Sequence, residues 1–240
     1  MRIPLSVQIQ ARRLARNVGL TRAYWAAKHR FGGAQRYEAA FDDALRRAIS
    51  TGDVVWDVGA NVGRYTIAFS DLVGPTGQVV AFEPVPATYG LLSAAAAGRP
   101  NCSLLQVALG AESAISHINV MSDARAGTHS LVRNVPGASA VAVVVEPGDQ
   151  IRIDRELPAP NVIKIDVEGF EYEVLLGITD TLRLPELRAI LCEVHFGALA
   201  QRGLKYHPQR IEEYLRAHGF ATRWVAASHL EATRHENHTG

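Results

Sequence analysis

Seven ionisable side chains stand at or just beyond the ends of apolar runs, where idle charge is costly: Asp57, Glu83, Lys164, Asp166, Glu168, Glu193 and His195. Asp57 closes Val54-Val55-Trp56 and is followed by Val58-Gly59-Ala60-Asn61-Val62-Gly63, an apolar strand running through a glycine-bearing turn into a helix. Such a turn seats a ligand at the carboxyl end of the first strand. In a dinucleotide loop, G-x-G-x-x-G, that turn and the helix start hold a pyrophosphate, which a carboxylate in front would repel. Here the spacing is G-x-x-x-G behind an aspartate, which suits a cationic ligand. S-adenosylmethionine carries both an amino group and a sulfonium. Glu83 follows Val79-Val80-Ala81-Phe82, 26 positions after Asp57, where a doubly wound fold places an acid that accepts hydrogen bonds from ribose hydroxyls. The cofactor-contacting residues expected from this pattern are Asp57, Gly59, Ala60, Asn61, Gly63, Tyr65, Glu83, Pro84 and Ala108.

The second constellation lies in Val162-Ile163-Lys164-Ile165-Asp166-Val167-Glu168-Gly169-Phe170-Glu171 and Ile190-Leu191-Cys192-Glu193-Val194-His195. With a period of two, Lys164, Asp166 and Glu168 share one face of an extended strand, and Glu193 and His195 share one face of its neighbour. The catalytic residues expected are therefore His195, Asp166, Glu193 and Glu168. If the reaction is transfer of the sulfonium's methyl group to oxygen, which the family resemblance given below implies, it is an in-line displacement. An alcohol acceptor needs a general base near the methyl group, and His195 titrates nearest neutrality. Asp166 or Glu193 would orient it. A second version stays open: Asp166, Glu193 and His195 could together hold Mg²⁺ or another divalent cation that binds a vicinal diol and lowers its pKa.

Elements that position these groups follow from hydrophobic patterning. Val54–Val58, Gln78–Phe82, Ser103–Leu109, Val162–Asp166 and Ala189–Val194 read as buried strands. Val62–Leu72, Pro86–Ala97, Tyr172–Leu176 and His207–His218 read as helices, and Phe220–Val225 as a late strand. The alternation implies an α/β fold with a doubly wound, mostly parallel sheet. Residues 114–146 break this rhythm and read as a hairpin, His117–Met121 with Val141–Val145, whose tip at 127–134 would lie over a site. Upstream, Val7, Ala11, Leu14 and Val18 mark an amphipathic helix, and Gln35–Ile49 marks a second with Tyr37, Phe41, Ala44, Leu45, Ala48 and Ile49 on one face. The expected organisation is a helical arm over 1–50, a catalytic domain over 51–230 and a flexible tail over 231–240.

Composition bounds the function. The 240 residues are 48% apolar, and no stretch approaches the roughly 18 uninterrupted apolar residues of a membrane span. Residues 1–36 hold eight Lys or Arg and no acid, so the net charge of +1 hides a basic arm on an acidic body. No nucleic-acid reader motif accompanies that arm, and nucleic-acid binding is not expected. A lid, a homodimer contact, attraction to an acidic acceptor or membrane surface, or a docked helix pair with a solvated basic face are the roles the arm suits. Cys102 and Cys192 form neither a metal motif nor a disulfide framework. With no apolar signal core near Met1, a cytoplasmic protein is expected.

Taken together, Asp57-Val58-Gly59-Ala60-Asn61-Val62-Gly63, Phe82-Glu83-Pro84, Val107-Ala108-Leu109-Gly110 and Lys164-Ile165-Asp166-Val167-Glu168-Gly169-Phe170-Glu171 leading to Val174-Leu175-Leu176-Gly177 resemble the FkbM-type methyltransferases, a class I S-adenosylmethionine-dependent family. The resemblance spans about residues 50–196. It implies a Rossmann-like seven-stranded sheet with a reversed last strand. It also implies O-methylation of a small-molecule or glycan hydroxyl, as in natural product biosynthesis. Where the family carries a Thr-Leu-Asp-Asp-like run, this chain reads Glu146-Pro147-Gly148-Asp149-Gln150-Ile151, so that edge of the acceptor pocket is expected to differ. The competing readings are a nicotinamide-dependent oxidoreductase and a non-catalytic nucleoside-binding module that recruits a partner through the basic arm.

Overall fold

The computed structural model describes residues 33–120, 129–130 and 139–234. The helix expected over Val7–Val18 and most of the hairpin tip lie outside them. In chain order, α1 (Gly33–Ala48) leads into β1 (Val54–Val58), α2 (Arg64–Val73), β2 (Gln78–Phe82), α3 (Pro86–Ala95) and β3 (Cys102–Leu105). Four strands follow: β4 (Ala108–Leu109), β5 (Ala114–Val120), β6 (His129–Ser130) and β7 (Ser139–Glu146). The chain returns through α4 (Gly148–Asp154), β8 (Val162–Ile165), α5 (Glu171–Gly177), β9 (Ala189–Glu193), α6 (Phe196–Gln201), α7 (His207–Ala217), β10 (Ala221–Trp224) and β11 (His229–Thr233).

β1, β2, β8 and β9 are nearly continuous apolar runs because both faces of the sheet are covered. They form the centre of a seven-stranded sheet of order β3-β2-β1-β8-β9-β11-β10. β3, β2, β1, β8 and β9 pair in parallel, and β11 runs antiparallel between β9 and β10, the reversed last strand that was expected. Chain order reverses between β1 and β8. The crevice beyond their carboxyl ends is therefore where this architecture opens a ligand site.

On one face Phe41, Leu45 and Ile49 of α1 and its exit pack with Phe69, Val73, Val79 and Leu191. Burying a side chain such as Phe41 contributes about 1.5–3 kcal/mol. The hydrophobic core thus reaches back into α1, and the arm–domain boundary drawn at residue 51 is corrected accordingly. The opposite face buries Trp56, Phe82, Ile163, Ile165, Leu175 and Ile190.

Two further expectations need correction. The strand drawn over Ser103–Leu109 stops at Leu105, because Ala108–Leu109 leaves the large sheet to pair in parallel with Val145–Glu146 of β7. The domain end at 230 falls inside β11, whose His229 and Glu231 disguised a buried strand as a polar tail; they are paired with Glu193 and Arg223. The expected hairpin is present: β5 and β7 pair antiparallel in a second sheet of order β4-β7-β5-β6.

Candidate functional site

The turn after β1 is fixed from three sides. Gly59 and Ala60 donate their N–H groups to the Phe82 carbonyl, 3.0 Å each, while Asn61, in the left-handed region at φ 51°, donates its N–H to Glu83 Oε2 at 3.0 Å. Lys164 Nζ donates to the Gly59 carbonyl at 2.9 Å. Gly59 is required at φ 77°, since a Cβ there would stand 1.9 Å from the Asp166 carbonyl oxygen. Gly63, at φ 91°, is equally constrained by Leu92 of α3, 2.9 Å from the position of a Cβ.

Beyond this turn opens a cavity of about 280 Å³. Its floor is Val58, Gly59, Asn61, Glu83 and Pro84; one wall is Val107, Ala108, Leu109 and Gly110; another is Ala114, Ser116, Ile118 and Val145 of the hairpin strands. Asp166, Val167, Glu168 and Phe170 complete it. Five of the expected cofactor residues, Gly59, Asn61, Glu83, Pro84 and Ala108, line it. Glu83 is buried, and its other oxygen accepts the Val85 N–H at 3.0 Å. Burial pushes its carboxyl up to about 7, against the two backbone N–H groups that pull it down. None of Glu146–Ile151 lines the cavity. Asp149 instead accepts from the Asp180 and Thr181 N–H groups and the Thr181 hydroxyl, so the departure at this segment serves helix packing.

Asp57 lies behind the turn. It is fully buried, outside the cavity lining, with Thr66 Oγ1 donating to it at 2.7 Å and Lys164 Nζ 3.0 Å away. Its charge is matched inside the protein and ties β1 to β8, so it does not face the ligand space. Ala60, Gly63 and Tyr65 also lie off the cavity lining. The Tyr65 hydroxyl donates to Asp42 of α1 at 2.8 Å, and burial with that partner raises its pKa, keeping it neutral.

The chain leaves β8 through Asp166, turns at Glu168 (φ 51°) and Gly169 (φ 98°), and enters α5 at Glu171. Glu171 is fully buried; its Oε1 accepts from the Gly169 N–H and stands 2.8 Å from His195 Nδ1. His195 Nε2 then faces Glu168 Oε2 at 3.5 Å and Asp166 Oδ1 at 3.6 Å. Burial disfavours charge on this imidazole, but the Glu171 hydrogen bond with Glu168 and Asp166 outweighs it and carries the pKa up to about 10. Glu168 is pushed up to about 7 by burial, and Asp166 is raised for the same reason. The imidazole keeps its proton through the neutral range, and Glu168 takes up a further one as the pH falls through about 7. The expectation that His195 titrates nearest neutrality is changed by its three carboxylate neighbours, which leave Glu168 nearer that range.

Glu193 does not join this cluster. It meets His229 Nε2 at 3.2 Å, and His229 in turn stacks on Phe41 at 4.1 Å. Burial opposes its charge, but the His229 bond wins and lowers the pKa to about 2. Glu171 takes the orienting role expected of Asp166 or Glu193. Its only sequence signal is its place two residues after Gly169, where a carboxylate folds back onto that N–H.

Residues 57–221 match the family model of the Methyltransferase FkbM domain. The chain is 33% identical over 146 residues to the hexuronic acid methyltransferase AglP of Haloferax volcanii, covering 60% of this chain and 57% of that protein. It is 31% identical over 223 residues to the 31-O-demethyl-FK506 methyltransferase FkbM of Streptomyces tacrolimicus, covering 77% of this chain and 80% of the relative. The chain thus spans just over half the length of AglP and most of the length of FkbM. Among solved structures, a candidate rRNA-methylase from Clostridium thermocellum superposes with a TM-score of 0.52 at 10% identity, over 84% of this chain and 97% of that one, a likeness of fold.

Proposed function

This chain belongs to the FkbM methyltransferase family, and from that premise we propose that it transfers the methyl group of S-adenosylmethionine to a hydroxyl oxygen of a sugar or other natural product. The observation that supports this reading is that Glu83, Asp166 and Glu168 line one and the same cavity. Glu83 would accept the ribose hydroxyls, with the Asn61 and Val85 N–H groups holding its carboxyl still. Val107, Ala108 and Leu109 offer an apolar wall suited to the adenine. The names of the relatives, a hexuronic acid methyltransferase and a 31-O-demethyl-FK506 methyltransferase, support an oxygen acceptor.

Methyl transfer needs the acceptor oxygen in line with the sulfonium methyl, and alignment of this kind reaches effective molarities of about 10⁵ M or more. The turn at Gly59–Gly63 would hold the donor. Asp166 and Glu168 would accept the hydroxyl's hydrogen bond and take up its proton, with the His195 imidazolium holding the two carboxylates in place. The apolar hairpin wall excludes water, which favours a step that neutralises two charges. A divalent cation among the same groups would supply part of that charge stabilisation.

Isothermal titration tests the cofactor: S-adenosylhomocysteine is expected to bind, and NAD(P) is not. Tight NAD(P) binding with no S-adenosylhomocysteine binding would instead support the oxidoreductase. Product mass spectrometry across hydroxylated acceptors is then expected to show the gain of one CH₂ unit.

A pH dependence follows from Glu83. Its folded pKa of about 7 lies above the free-chain value of 4.5, so the empty folded protein holds a proton that the unfolded chain has released between these values. Stability of the empty protein therefore falls as pH rises from 4.5 through about 7. Ribose hydroxyls prefer the ionised form. S-adenosylhomocysteine affinity is expected to weaken by up to about tenfold per pH unit below about 7, and Glu83→Gln is expected to flatten that slope. An unchanged slope in the variant contradicts the assignment.

A further inference from the structure

Asp166, Glu168 and His195 turn one donor atom each toward a common point, all three atoms lying within 4.8 Å of one another. The separations of 3.5 and 3.6 Å between His195 Nε2 and the two carboxylate oxygens exceed hydrogen-bond length. They match the roughly 3.3–3.6 Å between ligand atoms of a tetrahedral ion with bonds of about 2.0–2.2 Å. An independent feature aims the ring: fully buried Glu171 holds Nδ1 at 2.8 Å and is itself fixed by the Gly169 N–H. A carboxylate on the far nitrogen is the usual support of a metal-bound histidine, setting its tautomer and orientation. Two carboxylates also balance the charge of a dication, and both line the cavity.

We propose that Asp166, Glu168 and His195 form a binding site for a divalent cation, with Glu171 as the positioning residue for His195, and that acceptors with two adjacent oxygens, a vicinal diol or a hydroxy acid, complete its coordination. Three protein ligands leave one position open at a four-coordinate ion and two when it expands to five, which the two oxygens would fill. The second half rests on the O-methylation reading; the first half does not.

Electron paramagnetic resonance of Mn²⁺ titrated into the full chain, with S-adenosylhomocysteine binding followed separately by calorimetry, tests both. One bound Mn²⁺ per chain is expected. Glu168→Gln and Glu171→Gln are each expected to weaken it by about 10–100-fold while the fold, by circular dichroism, and S-adenosylhomocysteine binding persist. Adding glucuronate is expected to change the spectrum of the bound ion, and adding ethanol is not. A wild-type protein that binds S-adenosylhomocysteine and leaves Mn²⁺ free overturns the site, as does undiminished Mn²⁺ binding in Glu168→Gln. Bound Mn²⁺ without S-adenosylhomocysteine binding upholds the site and overturns the cofactor assignment. A spectrum indifferent to glucuronate overturns the chelation of the acceptor.

Discussion

His195→Asn is expected to lower kcat for methyl transfer by about 10²–10⁴-fold, the usual contribution of positioned proton-transfer groups, because Asp166 and Glu168 lose the imidazolium that holds them, with S-adenosylhomocysteine affinity unchanged. Asparagine still offers an N–H toward Glu171, so the buried carboxylate keeps a partner and the fold is not asked to hold a bare charge. What is lost is Nε2, the atom facing Asp166 and Glu168 at 3.6 and 3.5 Å. Since His195 lies outside the turn that would hold the donor, the loss should fall on kcat and spare cofactor binding. Single-turnover kinetics with a true acceptor would separate the two, and wild-type turnover in the variant would remove His195 from the mechanism.

The second large effect concerns Lys164, which is 1% exposed. Its ammonium lies 3.0 Å from Asp57, 2.9 Å from the Gly59 carbonyl and 3.7 Å from Asp166. Burial works against its charge, but Asp57 and Asp166 prevail and raise its pKa. Lys164→Met leaves the Asp57 carboxylate buried without a counter-charge, an imbalance that costs about 3–5 kcal/mol. In a chain of this size the midpoint of thermal unfolding should fall by roughly 6–20 °C. Adding Asp57→Asn to the same protein removes the stranded charge and is expected to restore part of the loss, a coupling readable in a double-mutant cycle. If Lys164→Met melts with the wild type, the buried pair contributes nothing to stability. If the second substitution only adds to the damage, the two residues do not act as a pair.

Much of the fold was legible because parallel strands covered on both faces carry unbroken apolar runs. β1 and β2 were bounded correctly from that signal, and the hairpin from its alternation and its glycine-bearing middle. What failed was reasoning about faces across a strand's end. Glu193 and His195 were placed together by a period of two, but the strand stops at Glu193 and His195 caps the next helix, so the alternation does not carry across. Glu168 joins His195 only through the left-handed turn at 168–169, a rotation no hydrophobic period encodes. Asp57 was read as a selector of cationic ligands because its partner is remote in sequence: Lys164 sits opposite it only through the β1–β8 register. Glu171 sat in the quoted motif without a role, since its work depends on a histidine from a different strand. Chemistry-bearing residue types were readable; their pairing required topology.

The near-contact between Gly59 and the Asp166 backbone has a mechanical meaning. The two seats of a bisubstrate reaction are here built on segments that touch main chain to main chain, with Asp166 also donating its N–H to the Val58 carbonyl. A shift of either segment would carry the other with it, so, on the proposed reading, the gap that the travelling carbon must cross would be set by the scaffold before either reactant arrives.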